Sequence, residues 1–129
     1  WSHSVLQHVH IDQFQVMLRE FHRVLKTGSL MSHKIDLKDC IAYGLNNMRF
    51  SDNIWNSERF FTSGFYTNRI RRDEMLGLFA AEGFALLKVN DVVFDQIPLT
   101  IDQSSKDIRE RYNDEDFLYS GLHCVLKKI

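Results

Sequence analysis

Three histidines stand close together at the start of this 129-residue chain, His3, His8 and His10. Imidazole can ligate a metal, take up a proton or orient a donor. A zinc site needs three or four ligands with supporting hydrogen bonds, and no Cys or Glu stands at a helical spacing from these three. Metal is therefore not expected. His33 and Asp36 form a second pair at the end of an apolar run. In open α/β sheets ligands gather at the carboxyl ends of strands, so both lie on the correct side for a site. Asp36 reads equally well as a cap for the next turn. Arg19 and Arg23 could meet phosphate, although charge pairing along a solvated helix face accounts for them more simply. Cys40 and Cys124 lie far apart and outside any metal-like spacing. A thiol pair in a reducing, cytoplasmic compartment is expected.

The composition narrows the classes. One domain is expected at this length, with enough chain for an ordinary core. The apolar fraction is 44% and the charged fraction 26%, the values of a globular protein. Sixteen basic residues stand against seventeen acidic ones, a net charge of -1. No basic excess points to nucleic acid. No apolar run nears the ~18 residues of a membrane span, and no basic-then-apolar signal segment opens the chain. It begins with Trp1, inside what reads as a strand, and a fragment or processed product is expected.

These residues need elements to hold them. Residues 1–6 read as a strand. Asp12 is placed to cap a helix whose Phe14, Met17, Leu18, Phe21 and Leu25 make one apolar stripe. Lys26 complements its negative end, and Gly28 supplies a left-handed stop. Residues 29–37 form a second strand, completing a βαβ crossover. Cys40, Ile41, Tyr43 and Leu45 suggest a short helix after Asp36. The aromatic-rich segment that follows is too apolar for disorder. A helix over 70–84 should bury Met75, Leu76, Phe79 and Ala80, with Asp73 and Glu74 in its first turn and Gly83 at its end. A strand over 85–94, a short helix capped by Ser104 or Ser105, and a turn over 113–118 come next. The final strand, 119–128, alternates Leu122, Cys124 and Leu126 with His123 and Val125.

The wording of the crossover is more specific than its architecture. VLQHV (5–9), REFHRVLKTGS (19–29) and HKIDL (33–37) closely resemble the later half of the class I S-adenosylmethionine-dependent methyltransferase domain. There the fourth strand runs into a "VLEHV"-like turn, and the next helix ends in "RVLKPGG". Gln7 stands where Glu is usual, Thr27 for Pro and Ser29 for the second Gly. NNMRFSDNIWNSERFFTSGFYTNR (46–69) resembles a subset reading "LNFLRFS…W…YTNRLR". LFAAEGF (78–84) is similar to "LFEEAGF", and the final LKK to "LRK".

The resemblance implies an α/β fold: the C-terminal half of a Rossmann-like methyltransferase sheet, mostly parallel with an antiparallel last strand. It implies one partial domain over 1–129, carrying strands four to seven and a lid-like insertion at about 38–69. The VLQHV turn would lie beside the methionine portion of the cofactor, with Ser4, Val5 and Gln7 as cofactor contacts. His8, then His3, would be the base or orienting donor. Arg49, Trp55, Tyr66, Asn68 and Arg69 would meet a small-molecule or sugar-containing acceptor. The family's glycine-rich cofactor turn is missing, since the glycines stand at 28, 44, 64, 77, 83 and 121. Weak or absent cofactor binding by the isolated chain is therefore expected. So is an unpaired leading edge that self-associates or pairs with the missing N-terminal half. Two rivals remain: a non-catalytic methyltransferase-like module acting in assembly, and a more remote Rossmann-like nucleotide binder.

Overall fold

A computed structural model of the chain describes residues 1–129. Four strands form one sheet: β1 (Ser2–His3), β2 (Leu30–Asp36), β3 (Phe84–Val93) and β4 (Tyr119–Lys128), in the order β1-β2-β4-β3. β1 pairs parallel with β2, and β4 runs antiparallel between β2 and β3. Three strands thus point one way and the last is reversed, as expected. Five helices complete the chain: α1 (Ile11–Val24), α2 (Asp52–Trp55), α3 (Glu58–Phe61), α4 (Arg72–Ala81) and α5 (Lys106–Arg111). None is long and apolar enough to cross a membrane.

Period 2 in the strands and 3.6 in the helices meet on one face of the sheet. Met31, Ile35, Leu122, Cys124 and Leu126 point to it and are buried against Phe14 and Leu18 of α1 and Met75 and Phe79 of α4. The opposite face carries no helix, and Leu30 stays 60% exposed there. A smaller core joins Leu45, Met48, Leu99, Ile108, Tyr112 and Phe117 under the long loops.

Several local expectations are corrected. The opening strand covers Ser2–His3 rather than 1–6, because Ser4 turns left-handed (φ 54°) and Leu6–His8 coil into a 3-10 turn. His10, not Asp12, caps α1, its Nδ1 accepting from the Asp12 N–H at 3.3 Å. No helix follows Asp36. The chain there wraps around the buried Asp39 carboxylate, which offers the backbone a better set of acceptors than a helix start would. α4 begins at Arg72 rather than residue 70, and Ala80 is exposed. Gly28 and Gly83 do adopt the left-handed backbone that ends a helix (φ 83° and 84°).

One core residue is not apolar. His33 is stacked between Phe21 and Phe79, with ring centroids 5.9 and 5.8 Å away, and its Nδ1 lies 2.7 Å from Ser2 Oγ. Burial lowers its pKa to about 4, and the positive amino terminus adds to the shift. The fold therefore holds the neutral ring. The unfolded chain takes up a proton below about pH 6.5, so stability attributable to this group is complete above that pH and is lost as pH falls toward 4. The loss should reach about 3 kcal/mol. Denaturant unfolding across pH 7 to 4 should show this slope, and His33→Gln should flatten it. Parallel slopes for the two proteins would contradict the assignment.

Candidate functional site

The rim at the carboxyl ends of β1 and β2 is where an open sheet presents a site. The long segment between β2 and α4 folds back onto it. Asn68 is the main fastener: its Nδ2 donates to Leu6 O (2.9 Å) and Val9 O (3.1 Å), and its N–H donates to Gln7 O (2.7 Å). Tyr66 adds a second tie. Its hydroxyl accepts from the Ile11 N–H at 3.1 Å and donates to Asn56 Oδ1 at 3.0 Å, and burial pushes its pKa up. Arg69, left-handed at φ 62°, donates to Asn47 O, Phe50 O and Asp52 Oδ1. Burial lowers its pKa to about 10, against the opposing pull of Asp52. Trp55 is fully buried and donates its indole N–H to Thr67 O at 2.7 Å.

The expected acceptor contacts therefore divide. Trp55, Tyr66, Asn68 and Arg69 are buried and hydrogen-bonded within the chain, while Arg49 is exposed at the end of the 3-10 turn Asn46–Arg49. The aromatic cluster continues outward through Phe50, Phe60 and Phe61, with Phe61 and Phe65 reaching solvent.

The histidines also separate. His8 is exposed, and its Nδ1 lies 2.9 Å from the Tyr66 carbonyl oxygen. A carbonyl only accepts, so Nδ1 carries the hydrogen and the neutral ring keeps its Nε2 lone pair free. His10 is fully engaged, donating from Nε2 to Asn56 O and accepting at Nδ1 from the Asp12 N–H. His3 ends β1 and, with Ser4, lines a cavity of about 360 Å³ that also takes in Lys34, Asp36, Lys38 and His123. A second hollow of about 10 Å³, the size of one water probe, touches Gln7, Asp36, Asn47, Asn68 and Arg69. Gln7 Oε1 and Asn47 Oδ1 are buried without a hydrogen-bond partner. Val5 is exposed beside this turn.

Asp36 fulfils the capping role: its Oδ1 accepts from the Lys38 N–H at 2.9 Å. Sequence reasoning missed Asp39, Arg71, Lys34, Lys38 and His123. Lys34 and His123 could have been found by registering β1, β2 and β4 side by side, whereas Lys38 lies beyond the end of β2. Asp39 and Arg71 have no periodic signature.

No family model and no curated protein matches the sequence. Solved structures do match. The crystal structure of the [4+2]-cyclase SpnF aligns over 99% of this chain and 48% of its own, with TM-score 0.54 and 13% identity. The putative methyltransferase in complex with the Haloferax volcanii Trm112 methyltransferase activator aligns over 98% of this chain and 51% of its own, with TM-score 0.50 and 19% identity. The chain thus has an α/β fold similar to methyltransferase folds, and it spans about half the length of these neighbours. Likeness at such identities speaks for the fold alone.

S-adenosylmethionine is the group that the sequence resemblance implies. A nucleoside cradle needs backbone approaching closely at a glycine-rich turn between a strand and a helix. Only Gly121 of the six glycines borders the large cavity, and it lies inside β4, where an added Cβ would meet the Ile35 carbonyl at 3.1 Å. These residues do not build the cradle.

Proposed function

We propose that this chain is the acceptor-side half of an S-adenosylmethionine-dependent methyltransferase, acting on a small-molecule or sugar-containing acceptor. The supporting observation is the strand order β1-β2-β4-β3 with the reversed strand inserted between two parallel ones. That order agrees with the resemblance of VLQHV, RVLKTGS and the 46–69 segment to strands four to seven of the family domain. In this reading residues 1–129 are one partial domain, and the segment at about 38–69 is a lid. The chain alone is inactive because the cofactor's glycine turn belongs to the other half.

Within this reading His8 takes the acceptor's proton on its free Nε2 and His3 is the second candidate. Ser4, Val5 and Gln7 border the cofactor. Arg49, exposed at the end of its turn, meets the acceptor directly, and Trp55, Tyr66, Asn68 and Arg69 shape its wall. Joining the chain to the residues encoded before Trp1 should give S-adenosylmethionine-dependent turnover, lowered at least about 100-fold by His8→Ala. A joined protein that binds cofactor without turnover on any acceptor would favour the non-catalytic, assembly-type module. The engagement of Trp55, Asn68 and Arg69 in internal hydrogen bonds supports that second reading.

The partner follows from the edge. β1 is the outermost strand and pairs on one side only, and an unpaired edge recruits another chain. The isolated chain should self-associate, or pair with the missing N-terminal half. Light scattering at high concentration should give a mass above 15.2 kDa. A single monomeric species there would count against it.

A further inference from the structure

We propose that the cavity at the carboxyl ends of β1 and β2 binds a compact oxyanion, a carboxylate or phosphate monoester group of the acceptor. Its assignment to the acceptor rests on the methyltransferase reading; the binding itself does not.

Strand register makes the case. His3 is the Cα partner of Lys34, Lys34 is the partner of His123, and His123 is the partner of Asn90. All lie on the face that no helix covers, so Lys34 stands between two imidazoles across three adjacent strands. Side chains directly opposed on neighbouring strands sit about 5 Å apart, close enough for the three to reach one small ligand. Lys38 also lines the cavity, its ammonium 3.9 Å from Asp36 Oδ2. No carboxylate forms an ion pair with Lys34, His3 or His123. The single acid in the lining, Asp36, is already occupied: its Oδ1 accepts from the Lys38 N–H and its Oδ2 lies 3.9 Å from Lys38 Nζ.

The whole chain carries a net charge of -1, so this basic row is local and not a reflection of composition. Ser4 contributes a hydroxyl donor from a left-handed turn whose N–H is fixed to Lys34 O at 2.9 Å. Backbone held in that region by a non-glycine residue is strained, and such strain concentrates at binding sites. At about 360 Å³ the cavity suits a small ligand with an anionic group, not a macromolecule. His3, Lys34, Lys38 and the Ser4 hydroxyl border this cavity together with His123, whose Nε2 lies 2.8 Å from Ser32 Oγ, and such donors are what an oxyanion requires.

The test is a titration of inorganic phosphate, and in parallel acetate, into the chain at low ionic strength, followed by backbone amide NMR. Saturable shifts are expected at His3, Ser4, Lys34 and His123. The double variant Lys34→Gln, Lys38→Gln should weaken binding at least about tenfold. Lys106→Gln, on α5, should leave it unchanged. Tighter saturation by phosphate or by acetate identifies which oxyanion the site prefers. Non-saturable shifts, or equal affinity in the double variant, would overturn the proposal. Both lysines reach solvent, and thermal unfolding of the variant checks that the fold survives. Displacement of phosphate by S-adenosylmethionine alone would reassign the site to the cofactor's carboxylate and overturn the assignment to the acceptor. If the joined protein never binds cofactor while phosphate still saturates here, the methyltransferase reading fails and the oxyanion site stands.

Discussion

Arg71→Met should destabilise the chain by about 3–5 kcal/mol, the largest loss expected from any single substitution. Arg71 is 1% exposed. Its guanidinium donates from Nε to Asp116 O at 3.0 Å, from Nη1 to Leu37 O at 2.7 Å and from Nη2 to Tyr119 O. Those carbonyls come from the residue after β2, from the 3-10 turn Asp114–Phe117 and from the first residue of β4. The planar fork fits three diverging acceptors, which a single ammonium cannot reach together. Burial lowers its pKa to about 10, leaving it charged at neutral pH, and the Phe117 ring faces the cation at 5.9 Å. Met fills similar volume but strands three carbonyls away from water. Arg71→Lys should recover only part of the loss. Denaturant midpoints measure both variants, and a loss below about 1 kcal/mol in Arg71→Met would contradict this account.

Asp39→Asn should cost about 2–4 kcal/mol, an outsized effect for a near-isosteric change. The Asp39 carboxylate is 2% exposed and accepts five backbone N–H groups. Ile41, Ala42 and Gly44 donate to Oδ1 at 3.2, 3.0 and 3.1 Å, and Asn46 and Asn47 to Oδ2 at 2.5 and 3.3 Å. An amide group replaces one acceptor oxygen with a donor, so whichever way it is turned, N–H groups face N–H groups. The loop over 40–47 should then lose its shape before the sheet does. Hydrogen exchange should accelerate at those five amides while Leu122 and Cys124 in β4 stay protected. Uniform acceleration through the sheet would show that the loop is not a separate unit.

Much of the sheet was legible because its signals are periodic. Phe14, Leu18, Met31, Ile35, Leu122, Cys124 and Leu126 follow helix or strand spacing, and all seven are buried in one core. The antiparallel last strand was anticipated from the resemblance rather than from spacing. Some of the local errors share a physical origin. Asp39 and Arg71 act by gathering backbone groups from distant segments, and neither a propensity nor a period records that. The mistaken helix after Asp36 is a case in point: apolar spacing at Cys40, Ile41 and Leu45 was real, but five donors converging on one carboxylate outweighed a single weak turn. The candidate site was legible in its location and less so in its members. His3, His8 and Gln7 were identified at the rim, whereas the Lys34–His123 row emerges only when strands far apart in sequence are set in register.

The central claim is that this chain is the rear half of a methyltransferase-type sheet, separated from the part that grips the cofactor. Calorimetric titration with S-adenosylmethionine tests it most directly, on this chain alone and on the chain joined to the residues encoded before Trp1. The account predicts no saturable heat at micromolar concentrations for the first and micromolar binding for the second. Micromolar binding by residues 1–129 alone, or none by the joined protein, would contradict it.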